Sequence, residues 1–97
     1  MNNSFLLFTK DSCGPCGLVK RYINALNDYR TELIEEIYLE DFSDEPIPEE
    51  NLAIAKKYEV TATPVLVVTD SEGKMLGKYT GGMQITQNIR KLVEEYA

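Results

Sequence analysis

Two stretches of this chain, Phe5-Leu6-Leu7-Phe8 and Val65-Leu66-Val67-Val68, are apolar without interruption. A strand with one wet face alternates apolar and polar residues, so unbroken runs of this length predict strands buried on both faces. Covering both faces of a sheet takes helices above and below it, which points to an α/β fold. The 97 residues suit a single domain, 1–97, and the 43% hydrophobic content can fill its core without disulfide or metal staples.

The remaining elements follow from periodicity. Val19, Tyr22, Ile23 and Leu26 recur at i, i+3, i+4 and i+7, predicting a helix from about Pro15 to Tyr29, with Pro15 in its first turn. Ile37 and Leu39 alternate with Glu36, Tyr38 and Glu40, as in a half-buried strand near a sheet edge over 33–40. The segment from Glu40 to Glu50 reads as a loop entering a helix at Pro48 that ends near Tyr58, with Leu52, Ile54 and Ala55 inward. Asp70-Ser71-Glu72-Gly73 is a hairpin loop with Gly73 placed for positive φ, and the next strand runs over 74–80. A last helix, 84–96, carries the stripe Ile85, Ile89, Leu92, Val93 and Tyr96. The order is β-α-β-α-β-β-α, a mixed four-stranded sheet flanked by three helices. The first three strands are expected to be parallel through right-handed crossovers unless a connection reverses, and the last two antiparallel.

Charge narrows the partners. A net charge of −6, with basic residues adjacent only at Lys20-Arg21, Lys56-Lys57 and Arg90-Lys91, argues against nucleic acid. Glu40, Asp41, Asp44, Glu45, Glu49 and Glu50 together equal that net charge; they read as a solvated loop, or else as a surface selecting a basic reductase or client. No apolar run approaches the roughly 18 residues that span a bilayer, and no basic segment precedes Phe5 as in a signal peptide. The expectation is a cytoplasmic protein whose thiols are kept reduced.

In that setting Cys13-Gly14-Pro15-Cys16 stands out, at the junction of a buried strand and a helix. Helix N-terminal N–H groups and the macrodipole favour an anion there. Lowering a thiol from about 8.5 to about 7 raises its thiolate fraction at neutral pH from about 3% to about 50%. The accompanying loss of intrinsic nucleophilicity is about fivefold, so the thiolate gain wins by about threefold. The i, i+3 spacing brings Cys16 to the same side of the helix as Cys13. Cys13 is expected to attack a substrate disulfide, and the more buried, less acidic Cys16 to resolve the mixed disulfide. Other readings are weaker. Zinc needs four ligands, and the chain has two Cys and no His. A structural staple closing a four-residue loop gains little. Two idle cysteines would not need a strand–helix junction. No metal is expected.

With these residues in view, the chain resembles the thioredoxin and glutaredoxin superfamily over nearly its whole length. Cys13-Gly14-Pro15-Cys16 is similar to the thioredoxin active-site sequence, and Val60-Thr61-Ala62-Thr63-Pro64 to the segment holding that family's cis-proline. The resemblance implies a thioredoxin fold, a cis Pro64 facing the cysteines, and Thr63 as the residue whose backbone pairs with substrate. A physical reason agrees: cis bonds belong almost solely to X-Pro, and a turn before a strand leaves backbone groups free for an extended partner. Other features lean toward glutaredoxins: the chain starts at the strand feeding the cysteines, Ser12 replaces a tryptophan, and Leu7 replaces a buried aspartate beneath the second cysteine. Lys10 is similar to a glutaredoxin lysine that binds a glutathione carboxylate, and Gly81-Gly82 to the segment whose amides hold glutathione's other end. Met83-Gln84 stand where acidic residues usually follow. Without the aspartate, water is the default acceptor for the Cys16 proton, with Lys10 and Asp11 as alternatives.

The expected function is a thiol–disulfide oxidoreductase, a protein-disulfide reductase cycling Cys13 and Cys16. A glutathione-dependent glutaredoxin is the alternative within that class, and a non-catalytic docking module the alternative outside it. No bound cofactor is expected, reducing equivalents coming from thioredoxin reductase with NADPH or from glutathione. Expected partners are protein disulfides, with a ribonucleotide reductase among them by family analogy, and that reductant. No nucleic acid or membrane partner is expected, and the chain is expected to be monomeric.

Overall fold

Both apolar runs occupy the middle of one sheet. In the structure, a computed structural model, residues 3–39 and 46–97 are described. Strand β1 is Ser4–Thr9, β2 Ile34–Tyr38, β3 Val65–Thr69 and β4 Met75–Thr80. They lie in the order β2-β1-β3-β4, so β1 and β3 are central and each is buried on both faces. Helices α1 (Gly14–Ala25) and α3 (Gly82–Tyr96) cover one face, and α2 (Glu49–Lys57) covers the other. Phe5, Leu7, Leu66 and Val68 pack with Val19, Ile23, Ile85 and Ile89 on the first. Leu6, Phe8, Val65 and Val67 pack with Ile37, Ala55 and Tyr58 on the second. The alternation of one strand thus feeds two apolar clusters, which is why its sequence shows no polar interruption. No helix among the described residues is long and apolar enough to cross a membrane.

The structure corrects several expectations. Strand β3 runs antiparallel to β1, not parallel; only β2 is parallel to β1. Tyr38, ending β2, lies opposite Thr9, and Val65, opening β3, lies opposite Phe8. The connection carrying α2 therefore leaves and re-enters the sheet at one end, and that reverses the strand. Helix α1 ends at Ala25 rather than Tyr29, because Asn27 takes φ +51 and Asp28 caps a separate 3-10 turn, Tyr29–Leu33. Tyr22 and Leu52, read as inward, are exposed; Val19, Ile23 and Ala55 fill those interfaces instead. Of the acidic segment 40–50, residues 40–45 lie outside the described residues, and Glu49 and Glu50 form the exposed first turn of α2. The expected positive φ at Gly73 is present, at +84.

Candidate active site

Strand β1 delivers the chain to a short turn in which the Cys13 N–H donates to the Lys10 carbonyl at 3.2 Å. Cys13 is the N-cap of α1, with extended backbone (φ −99, ψ 105), and its Sγ accepts the Cys16 N–H at 3.2 Å. The sulfur of Cys13 thus sits where a helix offers free N–H groups. No acidic residue in the first turn of α1 offsets the dipole there. Cys13 and Cys16 form a disulfide, with Cα atoms 5.4 Å apart. Cys13 is half-buried while Cys16 is 2% exposed. Gly14 and Pro15 are exposed, so the approach to Cys13 is open.

Two other segments meet this turn. The Thr63–Pro64 peptide bond is cis. Pro64 directly precedes Val65, the partner of Phe8, and so lies at the end of the sheet from which the cysteine turn springs. Among the described residues, the Thr63 backbone takes part in no backbone hydrogen bond. At the start of α3, a Cβ on Gly82 would stand 3.8 Å from Pro15 Cβ and 3.5 Å from Val19, so the two helix starts are in contact. The Gly81 N–H donates to the Pro64 carbonyl at 2.9 Å and Gly81 has φ +91. That amide is already bonded, and the glycine meets a backbone need that a side chain would strain.

Lys10 borders a groove of about 810 Å³ beside α2, with Leu39, Leu52, Lys56, Thr61 and Ala62. Among the described residues the groove is lined by neither cysteine and by neither Gly81 nor Gly82. Of the positions read from the sequence, the structure gathers Cys13, Gly14, Pro15, Cys16, Pro64, Gly81 and Gly82 at one end of the sheet, and Lys10 also borders the groove beside α2.

A polar group beneath α1 was missed in the sequence. Glu36 Oε2 accepts a hydrogen bond from Thr9 Oγ1 at 2.7 Å and pairs with Lys20 Nζ at 3.0 Å. Lys20 also donates to the Tyr38 hydroxyl at 3.4 Å. The Glu36 bond raises the Lys20 ammonium above its ordinary value, against a smaller desolvation effect. The sequence held one signal for this group: Lys20 stands four residues after Cys16, on the same side of the helix.

The family model described as a thioredoxin-like domain matches residues 2–97. A sequence search of curated proteins finds no match. Among solved structures, the oxidised mitochondrial thioredoxin 3 of Saccharomyces cerevisiae is similar at TM-score 0.66 and 23% identity, over 97% of this chain and 78% of that one. Fasciola hepatica thioredoxin is similar at TM-score 0.66 and 24% identity, over 99% and 82%. The germline-specific thioredoxin Deadhead of Drosophila melanogaster is similar at TM-score 0.69 and 14% identity, over 99% and 82%. At these identities the likeness is one of fold.

Proposed function

Because the chain belongs to the thioredoxin-like domain family, we propose that it is a dithiol protein-disulfide reductase that draws its electrons from a thioredoxin-reductase-type flavoprotein and NADPH. The observation that carries this reading is the placement of Cys13 at the helix N-cap, half-buried and facing an open approach, with Cys16 sealed one turn behind it. The Cys13 thiolate attacks a substrate disulfide; its bond to one substrate sulfur forms as the substrate S–S bond breaks, and the leaving thiolate takes a proton. Cys16 then gives up its proton and attacks Cys13 Sγ, releasing the second substrate thiol. Two electrons and two protons pass from the dithiol to the substrate. Thr63 is suited to pair with an extended client, its backbone groups being unclaimed beside the cysteine turn.

Glutathione is the less suitable donor. The amide of Gly81 is engaged by the Pro64 carbonyl, and the groove that Lys10 borders is lined by neither Gly81 nor Gly82 among the described residues. A reductase of this kind belongs in a reducing compartment, and the cytoplasm is the reading we adopt. The test supplies NADPH with thioredoxin reductase, or with glutathione and glutathione reductase, and follows insulin reduction. Turnover sustained by the first system only is expected. Turnover with glutathione alone would replace this reading with a glutaredoxin, and none with either would remove the reductase activity. Cys16→Ser is expected to accumulate a covalent mixed disulfide with the client, seen by mass spectrometry.

A further inference from the structure

Strand β2 has a neighbour on one side only, so its other edge carries no strand among the described residues. The Leu39 N–H donates to the Thr9 carbonyl at 2.8 Å, so the backbone groups of Leu39, Ile37 and Glu35 point toward β1. Alternation turns the N–H and C=O groups of Ile34, Glu36 and Tyr38 outward. Two contacts agree: the Ile34 N–H donates to the Thr31 carbonyl, and the Tyr38 carbonyl accepts Asn51 Nδ2 at 3.0 Å. The Ile34 carbonyl, both Glu36 groups and the Tyr38 N–H take no hydrogen bond on that side among the described residues. They are the set that one added strand would bind. The two faces of β2 differ. On the face under α1, Lys20 neutralises Glu36, and the adjoining cavity of about 260 Å³ takes its apolar lining from Leu7, Ile23 and Ile34. On the face under α2, Glu35 is exposed, and the exposed Glu49 and Glu50 open the helix whose Asn51 reaches the end of β2. None of these three carboxylates is in an ion pair among the described residues.

We propose that the outer edge of β2 takes an extended basic segment of a partner protein as an added strand, apolar on the α1 side and carrying lysine or arginine on the α2 side. Main-chain bonds hold such a segment, and its alternate side chains select it. An antiparallel segment satisfies every open group. Its residue opposite Glu36 exchanges two bonds with Glu36, and the residues two before and two after it bond the Tyr38 N–H and the Ile34 carbonyl. The side chain opposite Ile34 then lies at the cavity, and the one opposite Glu35 meets that carboxylate across the pair. Charge decides the occupant. Two β2 edges paired antiparallel about Glu36 would use the same backbone groups, but they would set Glu36 against Glu36 and join two chains of net charge −6. A basic segment meets no such opposition. The proposal does not depend on Cys13 or Cys16, so it and the dithiol reading stand or fall separately.

The experiment follows amide exchange by NMR in the isotope-labelled protein, and the probe is a capped heptapeptide alternating valine and lysine. In the protein alone the Glu36 and Tyr38 amides are expected to exchange freely, and the Ile37 amide, which points toward β1, slowly. The peptide is expected to slow exchange at Glu36 and Tyr38 about tenfold or more at saturation. A valine–glutamate peptide, and the valine–lysine peptide N-methylated at its valines, are expected to leave both amides as they were. Glu35→Lys replaces an exposed side chain and is expected to weaken binding of the lysine peptide about fivefold, with insulin turnover unchanged. Exchange that the lysine peptide does not slow, or that either control peptide slows equally, overturns the proposal. Unchanged affinity in Glu35→Lys removes the basic partner and overturns it as well. So does slow exchange of Glu36 and Tyr38 in the protein alone. Protection that grows with protein concentration would assign the edge to a second copy, and protection that does not would assign it to the chain itself.

Discussion

Where β1 stops and β3 starts, backbone is left open: Thr63 carries no backbone hydrogen bond among the described residues, Gly14 and Pro15 are exposed, and Cys13 is half-exposed. Where β3 turns into β4, and where β2 begins, side chains close the backbone instead. Asp70 Oδ1 accepts the N–H groups of Glu72 and Lys74, each at 2.9 Å. The Tyr58 hydroxyl donates to the Gly73 carbonyl at 2.6 Å, and Asp28 accepts the Arg30 N–H at 2.9 Å. One end of the sheet therefore keeps groups available for a reaction, and the other uses the same kinds of groups to hold the chain. Substitutions at the two ends should fall on different measurements.

The largest effect belongs to the open end. Cys13→Ser is expected to lower disulfide turnover by about a thousandfold or more, to the uncatalysed background, because an alcohol at neutral pH cannot supply the nucleophile. Its urea stability should stay within about 0.5 kcal/mol of the reduced wild type, since the side chain is half-exposed. A loss of several kcal/mol would show that the reactive turn also holds the fold. At the closed end, Gly73→Ala forces a Cβ onto φ +84, with Lys57 Nζ 3.0 Å away. The expected cost is about 1–2 kcal/mol with turnover unchanged, measured by urea unfolding and the insulin assay together.

Tyr58→Phe is a finer cut at the same end. It removes a buried hydroxyl and leaves the Gly73 carbonyl a lone pair short, for about 1 kcal/mol. Turnover should again be unchanged, and a fall in turnover without a fall in stability would erase the distinction between the ends.

The sequence was most readable where one local rule decides the outcome. The unbroken runs at Phe5 and Val65 mark doubly buried strands because nothing else in a small domain tolerates four apolar residues in a row on alternating faces. Gly73 and the cysteine N-cap were readable for similar reasons of turn and helix-start chemistry. What failed needed information carried between elements. The direction of β3 depends on where its connection re-enters the sheet, and Tyr22 fits the helical period although Cys16, Val19 and Ile23 are the buried residues of α1. Glu36 looked like the polar half of an ordinary strand. Only the pairing of β2 with β1 shows that this polar position lies beneath α1 rather than in water.

The smallest expected effect tests whether the closing side chains at the far end act through charge. The Arg30 guanidinium beside Asp28, helped by the Arg30 backbone N–H, holds the Asp28 carboxyl at about 2, below its ordinary 3.8. A carboxyl lowered in the folded state contributes stability that is fully present above the unfolded value and disappears as pH falls through the folded one. Wild type should therefore lead Asp28→Asn in urea midpoint at pH 6, and the lead should shrink from about pH 4 to about pH 2. The amide can still cap the 3-10 turn, so the comparison isolates the charge rather than the hydrogen bond. Because the pair is partly exposed, added salt should shrink the lead at pH 6 as well. A lead that held constant from pH 6 to pH 2 would assign the closure to shape alone, whereas disulfide turnover at pH 7 should not distinguish the two proteins.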